Sequence, residues 1–168
     1  MPHYTAILRC GLLSGLLAGA SACTTSKFID TAIDIEAPPC AVYDVLTDFE
    51  RYPEWNPYHV AVSGRLEAGA SLAVRVSRPD GETVDVPHVR LLELEPCKTL
   101  VWGGGVRGVF KGEHRFDLSE RAEGATHLSH TELFSGLFIG FADLPASVLQ
   151  QGYEEMNAAL KQHVETAD

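Results

Sequence analysis

Basic side chains are scarce in this 168-residue chain, which has 13 Lys and Arg against 23 Asp and Glu and a formal net charge of -10. A protein that binds a nucleic-acid backbone needs a basic surface to displace counterions, so the composition argues against that function class. The excess of carboxylates also disfavours adsorption to an anionic membrane by charge alone, although a covalent lipid does not depend on charge. With 45% hydrophobic residues, the chain is long enough to bury the core of one domain.

Signatures of several catalytic and metal sites are also missing. The chain has no CxxC pair or His/Cys spacing typical of structural zinc, no GxSxG motif and no nucleophilic Cys–His signature. We therefore predict no cofactor and no metal.

The N-terminus has no apolar run long enough to span a bilayer, which takes roughly 20 residues. Instead, Arg9 precedes a shorter apolar run at 11–20, and three small residues at 20–22 come directly before Cys23. This pattern predicts a secretory signal over residues 1–22. The cut before Cys23 resembles bacterial lipoprotein processing, in which the cysteine is lipidated, and the alternative is a soluble periplasmic protein. We expect a lipid-anchored protein of the bacterial cell envelope that faces the periplasm.

Cysteine is rare in the remainder of the chain, where only Cys40 and Cys97 follow the predicted cut. An oxidising compartment permits a disulfide between them. Two isolated cysteines in a chain of this size are more often small buried residues, so we favour unpaired, buried cysteines.

The pattern of strand and helix signals predicts one strand, a short helical segment, six strands and one long helix. The first strand covers 28–36 after a short linker at 23–26, and Pro39 suits the first turn of the helix that follows. Six strand-like segments, separated by turns of hairpin length, predict an antiparallel meander. They are His59–Leu66, Ser71–Ser77, Thr83–Glu95, Thr99–Gly103, Val109–Glu120 and Ala125–Phe134.

A long amphipathic helix is predicted after Pro145, because apolar residues recur there at helical spacing on one stripe. The order of elements indicates an α+β protein in which a curved seven-stranded antiparallel sheet grips the last helix, with two short helices after the first strand.

Residues 52–58, Tyr-Pro-Glu-Trp-Asn-Pro-Tyr, place three aromatic rings and two prolines before the second strand. The prolines predict non-helical geometry for Tyr52 and Asn56, with Asn56 available to bond turn amides. Two interpretations stay open for Trp55 and Tyr58: a packed corner that fixes the fold, or an aromatic wall at the mouth of a cavity.

The element order and the segments VLTDFERYPEWNPY, TLVWGG, GEHRFDL, TELFSG and MNAALK resemble the SRPBCC superfamily. These are the START and birch-pollen-allergen-like helix-grip proteins, and the likeness is to their bacterial polyketide cyclase/dehydrase-like branch. It covers about residues 27–166. The resemblance implies a domain that binds apolar ligands in a deep cavity between sheet and helix, and only some members are enzymes. The predicted lipid anchor differs from the usual cytoplasmic member.

A cavity under the last helix would be lined by inward-facing apolar residues, and Trp102 is expected to meet Tyr153 and Met156 of that helix. The predicted ligand-binding residues are Trp55, Tyr58, Trp102, Phe110, Phe116, Leu128, Phe134, Tyr153 and Met156.

Three titratable residues fall on the apolar faces of the last two predicted strands. With the turn centred near Ala122, His114 lies opposite His130 and diagonal to Glu132. The three are candidate catalytic residues for proton transfer on a carbonyl-bearing substrate. Alternatives are a polar group that orients a ligand, a metal site of two histidines and one carboxylate, or a cluster satisfied within the core.

These observations favour an envelope-tethered carrier or sensor of a small hydrophobic molecule over an enzyme. The second hypothesis is a cyclase or dehydrase that uses the three polar residues, and the third is an envelope interaction module without a ligand. The apolar, glycine-spaced segment 135–141 is either a lid or a surface that faces the bilayer. The facing of His88 and the oligomeric state remain undetermined at this point.

Overall fold

The computed structural model of the protein describes residues 25–142 and 145–166. They form a curved seven-stranded antiparallel sheet in the order β1-β7-β6-β5-β4-β3-β2, with a long C-terminal helix packed against it. This confirms the predicted α+β helix-grip architecture. The strands are β1 (Thr25–Ile35), β2 (His59–Gly64), β3 (Ser71–Ser77), β4 (Thr83–Glu95), β5 (Thr99–Val106), β6 (Phe110–Glu120) and β7 (Thr126–Gly136). The helices are α1 (Pro39–Thr47), α2 (Tyr52–Trp55) and α3 (Ala146–Thr166), with a 3-10 turn at Phe49–Arg51.

The N-terminal part of the chain is described from Thr25 onward. The predicted signal over residues 1–22 and the lipidation site Cys23 lie outside the described residues. Strand β1 begins inside the predicted linker, because Thr25 already pairs with Gly136 of β7. Among residues 25–142 and 145–166, no helix has the length and apolar character needed to cross a membrane.

Helix α3 lies close to the sheet at the point where Gly152 meets Tyr58. A β-carbon added to Gly152 would lie 2.3 Å from the Tyr58 ring, so a larger residue would push the helix away. Further along α3, Met156 and Leu160 are fully buried in the core. The helix is therefore held by packing at its C-terminal half and by this close contact nearer its N-terminus.

The corner at residues 52–58 is packed, and it also shapes the site. Tyr52 is helical (φ −52°, ψ −41°), contrary to the expectation, since its buried ring packs against Trp55 and its hydroxyl donates to the Leu46 carbonyl at 2.7 Å. Tertiary packing thus overrides the preference of a residue before proline for extended rather than helical geometry. Asn56 is extended, and its Oδ1 accepts the backbone N–H groups of residues 58 and 59 at 3.0 and 2.8 Å. That turn places the first residues of β2.

The expectation of unpaired, buried cysteines is wrong. Cys40 at the start of α1 is exposed and forms a disulfide with Cys97 in the turn between β4 and β5. Their α-carbons are 4.3 Å apart although 57 positions separate them along the chain. The bridge ties the start of α1 to the turn between two interior strands of the sheet.

Strand β4 changes face part way along its length. Leu72 and Val74 of β3 pair with Val89 and Val86 of β4, so β4 carries one extra residue between those pairs. The extra residue lies at the bulge that contains His88, whose φ is +59°. This bulge explains why strict alternation left the facing of the strand undetermined.

Candidate functional site

A cavity of about 320 Å³ lies between the sheet and the N-terminal half of α3. Its walls are mainly apolar and aromatic, and its polar groups are few, as expected for a site that binds small molecules. Seven residues predicted from the sequence line it: Tyr58, Trp102, Phe110, His114, Glu132, Phe134 and Tyr153.

Four predicted ligand-binding residues, and one predicted catalytic residue, are not part of this wall. Phe116, Leu128 and Met156 are fully buried in the core, where the corner helices and α3 cover the inner face of the sheet. Trp55 packs against Tyr52 and stacks on the His163 ring at 6.1 Å. His130 lies behind the wall. The alternation of side chains along each strand correctly placed the strand residues on the inner face of the sheet. It does not reveal which part of that face is covered by helices and which part lines the cavity.

Other lining residues were missed by sequence reasoning. His59 lies at the start of β2, and Val84, Val86 and His88 come from the bulged part of β4. Four more are glycines, Gly103, Gly104, Gly105 and Gly112, and the others are Val74, Val76, Arg78, Pro87, Val89 and Leu149. A run of glycines on an inner strand face is the signal that was available, because missing side chains leave space beneath a covering helix.

The pairing of β6 with β7 is shifted by two residues from the prediction. His114 lies opposite Glu132, and His130 lies opposite Phe116. The reason is a longer turn, which is centred at Glu123 (φ +63°) rather than at Ala122. The three titratable residues still converge because a two-residue shift keeps every side chain on its own face.

A series of close polar contacts, here called the polar chain, runs from the cavity to β1. Tyr153 donates its hydroxyl proton to Glu132 Oε2, which lies 3.3 Å from His114 Nδ1. The Nε2 atoms of His114 and His130 are 2.6 Å apart, and His130 Nδ1 is 2.6 Å from Asn157 Oδ1. Asn157 Nδ2 donates to Thr31 Oγ1 at 2.9 Å, and Thr31 donates to the His130 carbonyl at 2.9 Å.

Burial keeps the titratable groups of the polar chain uncharged at neutral pH. It lowers the pKa of His114 to about 3 and holds the pKa of His130 well below its ordinary value. Burial also raises the pKa of Glu132 to about 8, with its side chain 15% exposed toward the cavity. Desolvation disfavours the charged form of each group, so an acid and a base are neutral side by side.

One arrangement of protons satisfies the polar chain. The His130 carbonyl only accepts, so Thr31 donates to it and accepts the Asn157 amide. Asn157 Oδ1 then accepts the Nδ1 proton of His130, whose Nε2 keeps a lone pair and accepts from His114 Nε2. His114 Nδ1 therefore keeps a lone pair, which faces Glu132 Oε2 at 3.3 Å. A backbone carbonyl in β7 thus fixes the tautomer of both histidines and favours a protonated Glu132.

The arrangement does not match the metal-site alternative. A facial triad needs both imidazoles and the carboxylate to direct lone pairs at one ion. Here the two Nε2 atoms of His114 and His130 point at each other at 2.6 Å. In the described part of the chain, no group of three His, Cys, Asp or Glu side chains is arranged to hold a metal ion.

Trp102 and His59 complete the inner wall beside the polar chain. The Trp102 ring stacks on the His114 ring, with centroids 5.6 Å apart and an interplanar angle of 11°. His59 lies between Trp102 and α3, since its ring contacts Trp102 at 5.4 Å and its Nδ1 is 3.4 Å from Met156 Sδ. The expected meeting of Trp102 with Met156 is thus made through His59. Burial lowers the pKa of His59 well below its ordinary value, and the neighbouring His114 and His130 lower it further.

Several solved structures share this fold. The Zhui aromatase/cyclase from Streptomyces sp. R1128 has a TM-score of 0.64 and 17% identity, with 83% of this chain and 94% of that chain covered. Ara h 8.0201 has a TM-score of 0.60 and 18% identity, with 84% and 99% covered. The di-domain ARO/CYC BexL from the BE-7585A biosynthetic pathway has a TM-score of 0.63 and 16% identity. The match covers 85% of this chain but 51% of BexL, so this protein spans about half of that chain. At such identities the likeness shows the fold.

The sequence itself identifies the family. No curated protein sequence matches the chain. Residues 28–165 match the family described as polyketide cyclase / dehydrase and lipid transport. The matched segment runs from β1 to α3 and includes the whole cavity and the polar chain. The protein therefore belongs to this polyketide cyclase/dehydrase and lipid transport family, within the SRPBCC helix-grip proteins.

Proposed function

We propose that the protein is an envelope-tethered carrier or sensor that binds a small, mainly apolar molecule in this cavity. The observation that carries the proposal is an unfilled, apolar-walled cavity of about 320 Å³ whose inner end presents the carboxyl group of Glu132. A cavity of this size takes a ligand at the small end of the range for cofactor and drug-like sites. A cavity filled by the protein's own side chains would instead have favoured an interaction module without a ligand.

The carboxyl group of Glu132 indicates which polar group the ligand carries. Among the described residues, Tyr153 and His114 both contact Oε2, while a β-carbon on Gly112 would lie 3.4 Å from Oε1. An acid proton on Oε2 would face the His114 lone pair at 3.3 Å and leave Oε1 as a hydrogen-bond acceptor at the cavity wall. We therefore expect a ligand that has a hydroxyl group, such as a phenol or an alcohol, attached to an apolar body.

The envelope location is supported by two features. The Cys40–Cys97 disulfide is of the kind that persists in oxidising compartments. The small residues before Cys23 fit lipoprotein processing. Mass spectrometry of the protein isolated from its native envelope tests this part: we expect a diacylated Cys23 at the N-terminus, and a mature chain without lipid would contradict it.

Ligand binding is tested by mass spectrometry of molecules that co-purify from the native envelope, followed by melting of delipidated protein with fatty acids, isoprenoids and aromatic polyketides. Compounds with a hydroxyl group are compared with their methyl ethers. One hydrogen bond to Glu132 predicts about threefold to tenfold tighter binding of the hydroxyl compound. A broad screen with no shift in melting temperature and no co-purified molecule would overturn the proposal.

Acid–base catalysis is the second candidate function, and the pKa of Glu132 favours it. A carboxyl group with a pKa of about 8 exchanges its proton near neutral pH, and His114 lies next to it at 3.3 Å. In such an enzyme Glu132 and His114 are the catalytic residues, and His130 acts as a positioning residue from behind. For an identified substrate, Glu132→Gln should abolish turnover while it retains binding, and His130→Ala should shift the pH profile. Unchanged turnover in both variants would exclude this function.

A further inference from the structure

Five large apolar side chains project into solvent from two loops at one end of the sheet. Val106 and Val109 belong to the β5–β6 hairpin and are 63% and 43% exposed. Leu137, Phe138 and Phe141 follow β7 and are 50%, 53% and 87% exposed. We call this set the apolar end. Single exposed apolar residues are ordinary, but a contiguous group of this kind marks a surface that contacts a partner or a membrane.

The two loops of the apolar end form one connected surface. The backbone N–H of Leu137 donates to the Gly108 carbonyl and that of Phe138 to the Val109 carbonyl, both at 3.1 Å. The rings of Phe138 and Phe141 lie 6.2 Å apart. The apolar side chains are therefore held together by backbone hydrogen bonds.

The charges around the apolar end fit a lipid surface. Arg107, at the tip of the hairpin, is the one formally charged residue in segments 103–110 and 134–142 of a chain with a net charge of -10. The β3–β4 turn at the same end of the sheet adds Asp80 and Glu82, and Asp80 pairs with Arg78. An apolar cluster with one cation at its tip suits insertion among lipid headgroups and acyl chains.

The first described residue, two positions after the predicted anchor, lies at the same end of the sheet. Thr25, the first residue of β1, pairs with Gly136, and Leu137 follows directly. Cys23 is two residues before Thr25, and two residues span at most about 7 Å. A lipid on Cys23 would therefore hold the apolar end, rather than the opposite end of the sheet, against the bilayer.

One side of the cavity wall lies next to the apolar end. Gly105 and Phe110, which flank the hairpin, and Phe134, which precedes the second loop, all line it. We propose that the apolar end docks on the lipid bilayer, so that the cavity exchanges its ligand directly with the membrane. This inference rests on the proposed tether and ligand binding for its biological role, while the docking itself can be tested separately.

Tryptophan fluorescence tests the docking in the lipidated protein reconstituted into phosphatidylethanolamine/phosphatidylglycerol vesicles. The variant Phe141→Trp reports on the apolar end, and Leu66→Trp, also exposed at 49% but in the β2–β3 turn at the other end of the sheet, is the matched control. The native Trp55 and Trp102 are buried and give a constant background. We expect brominated lipids to quench the Phe141→Trp variant at least about threefold more than the control. Equal quenching of the two variants would overturn the inference.

Ligand transfer separates this inference from the proposed function. The double substitution Phe138→Ser and Phe141→Ser should slow transfer of a cavity ligand from vesicles about tenfold or more, because two aromatic side chains no longer enter the bilayer. Its affinity for the same ligand without vesicles should be unchanged, and Leu66→Ser should change neither quantity. If ligand binding is present but the double substitution has no effect, the docking inference fails alone.

Two further outcomes also decide the matter. If the native protein has no lipid on Cys23, the tether proposal fails, and the quenching measurement on soluble protein mixed with vesicles tests docking by itself. If the indole of the Phe141→Trp variant is buried by self-association before vesicles are added, the apolar end is an interface between copies of the chain and the inference is wrong.

Discussion

The Nε2 atoms of His114 and His130 lie 2.6 Å apart inside the protein, so the two imidazoles share one proton. Burial disfavours a charged imidazole at either position. The direction of the shared proton is set remotely, because the amide of Asn157 is oriented by Thr31 and so by a backbone carbonyl. The hydrogen bond from Thr31 of β1 to the His130 carbonyl of β7 thus determines which nitrogen of each imidazole carries the proton.

This relationship predicts the histidine tautomers. His130 and His59 should each have the proton on Nδ1, and His114 should have it on Nε2, since Met156 Sδ beside His59 only accepts. Long-range ¹H–¹⁵N spectra of the imidazole rings at neutral pH measure the tautomers directly. A doubly protonated His114 or His130 at neutral pH would contradict the assignment.

Asn157→Asp should disturb this pattern in a defined way. A carboxylate beside His130 Nδ1 favours the imidazolium, so the pKa of His130 should rise. Histidine titration followed by NMR measures the change. Gln151→Glu adds the same charge on the exposed face of α3 and serves as the control. Similar His130 titrations in the two variants would show that Asn157 does not govern the polar chain.

Glu132 should make the protein less stable as the pH rises. Its pKa is about 8 in the folded protein against an ordinary 4.5, so the folded state holds a proton that the unfolded state has released. The free energy of unfolding should therefore fall by up to about 1.4 kcal/mol per pH unit between these two values. Glu132→Gln should remove this slope and be the more stable form above about pH 8. Urea unfolding across this range measures it, and the exposed Glu154→Gln should behave like the wild type.

The three buried histidines should produce the opposite slope in acid. The folded pKa values of His59, His114 and His130 are all lowered below 6.5, so below that pH the unfolded state binds more protons. Stability should be full above about pH 6.5 and decline as the pH falls toward the folded values. Together with Glu132, this predicts a stability maximum near pH 6 to 7 that is visible in melting temperatures. A flat profile between about pH 5 and pH 8 would contradict both assignments.

The sequence was sufficient to predict the fold because several local signals agree. The bounds of β3 and β4 match the predicted segments, and the inner-face positions of His114, Phe116 and Leu128 follow from alternation. The alternation of side chains along a strand does not predict the length of a turn or the position of a bulge. The turn at Glu123 moved the β6–β7 register by two residues, and the bulge at His88 brought a stretch of β4 into the cavity wall.

Details of the site depended on long-range packing, which local patterns do not report. Asn157 was not among the predicted site residues, since a polar residue on the helical stripe gains meaning only when α3 places it 2.6 Å from His130. The disulfide was missed for the same reason. Cysteine spacing along the chain does not reveal that the α-carbons of Cys40 and Cys97 are 4.3 Å apart.

Reduction of the disulfide should lower stability substantially. The bridge closes a loop with a sequence separation of 57, and the chain-entropy treatment gives about 4 kcal/mol for a loop of that size. The exposed position of Cys40 gives reductants access. Urea unfolding with and without a thiol reductant measures the loss. The double substitution Cys40→Ala and Cys97→Ala should have about the stability of the reduced wild type, whether or not reductant is present. Identical midpoints for oxidised and reduced wild type would show that the bridge does not constrain the unfolded chain.

Gly112 should determine how large a ligand the cavity accepts. A β-carbon at this position would touch Glu132 Oε1 and the Phe134 ring at 3.4 Å, which is ordinary van der Waals contact, so alanine fits and valine projects into the cavity. We expect Gly112→Ala to weaken binding slightly and Gly112→Val to weaken it about tenfold or more for ligands that fill the cavity, with a smaller effect on shorter homologues.

The melting temperatures of the two Gly112 variants should change little. Gly103→Ala should differ, because its β-carbon would lie 2.3 Å from the Gly112 carbonyl oxygen. Gly140→Ala, with no atom within 4 Å of the added carbon, is the matched control. Equal affinities for Gly112→Val and Gly140→Ala across a homologous series would show that the ligand does not occupy the space beside Glu132.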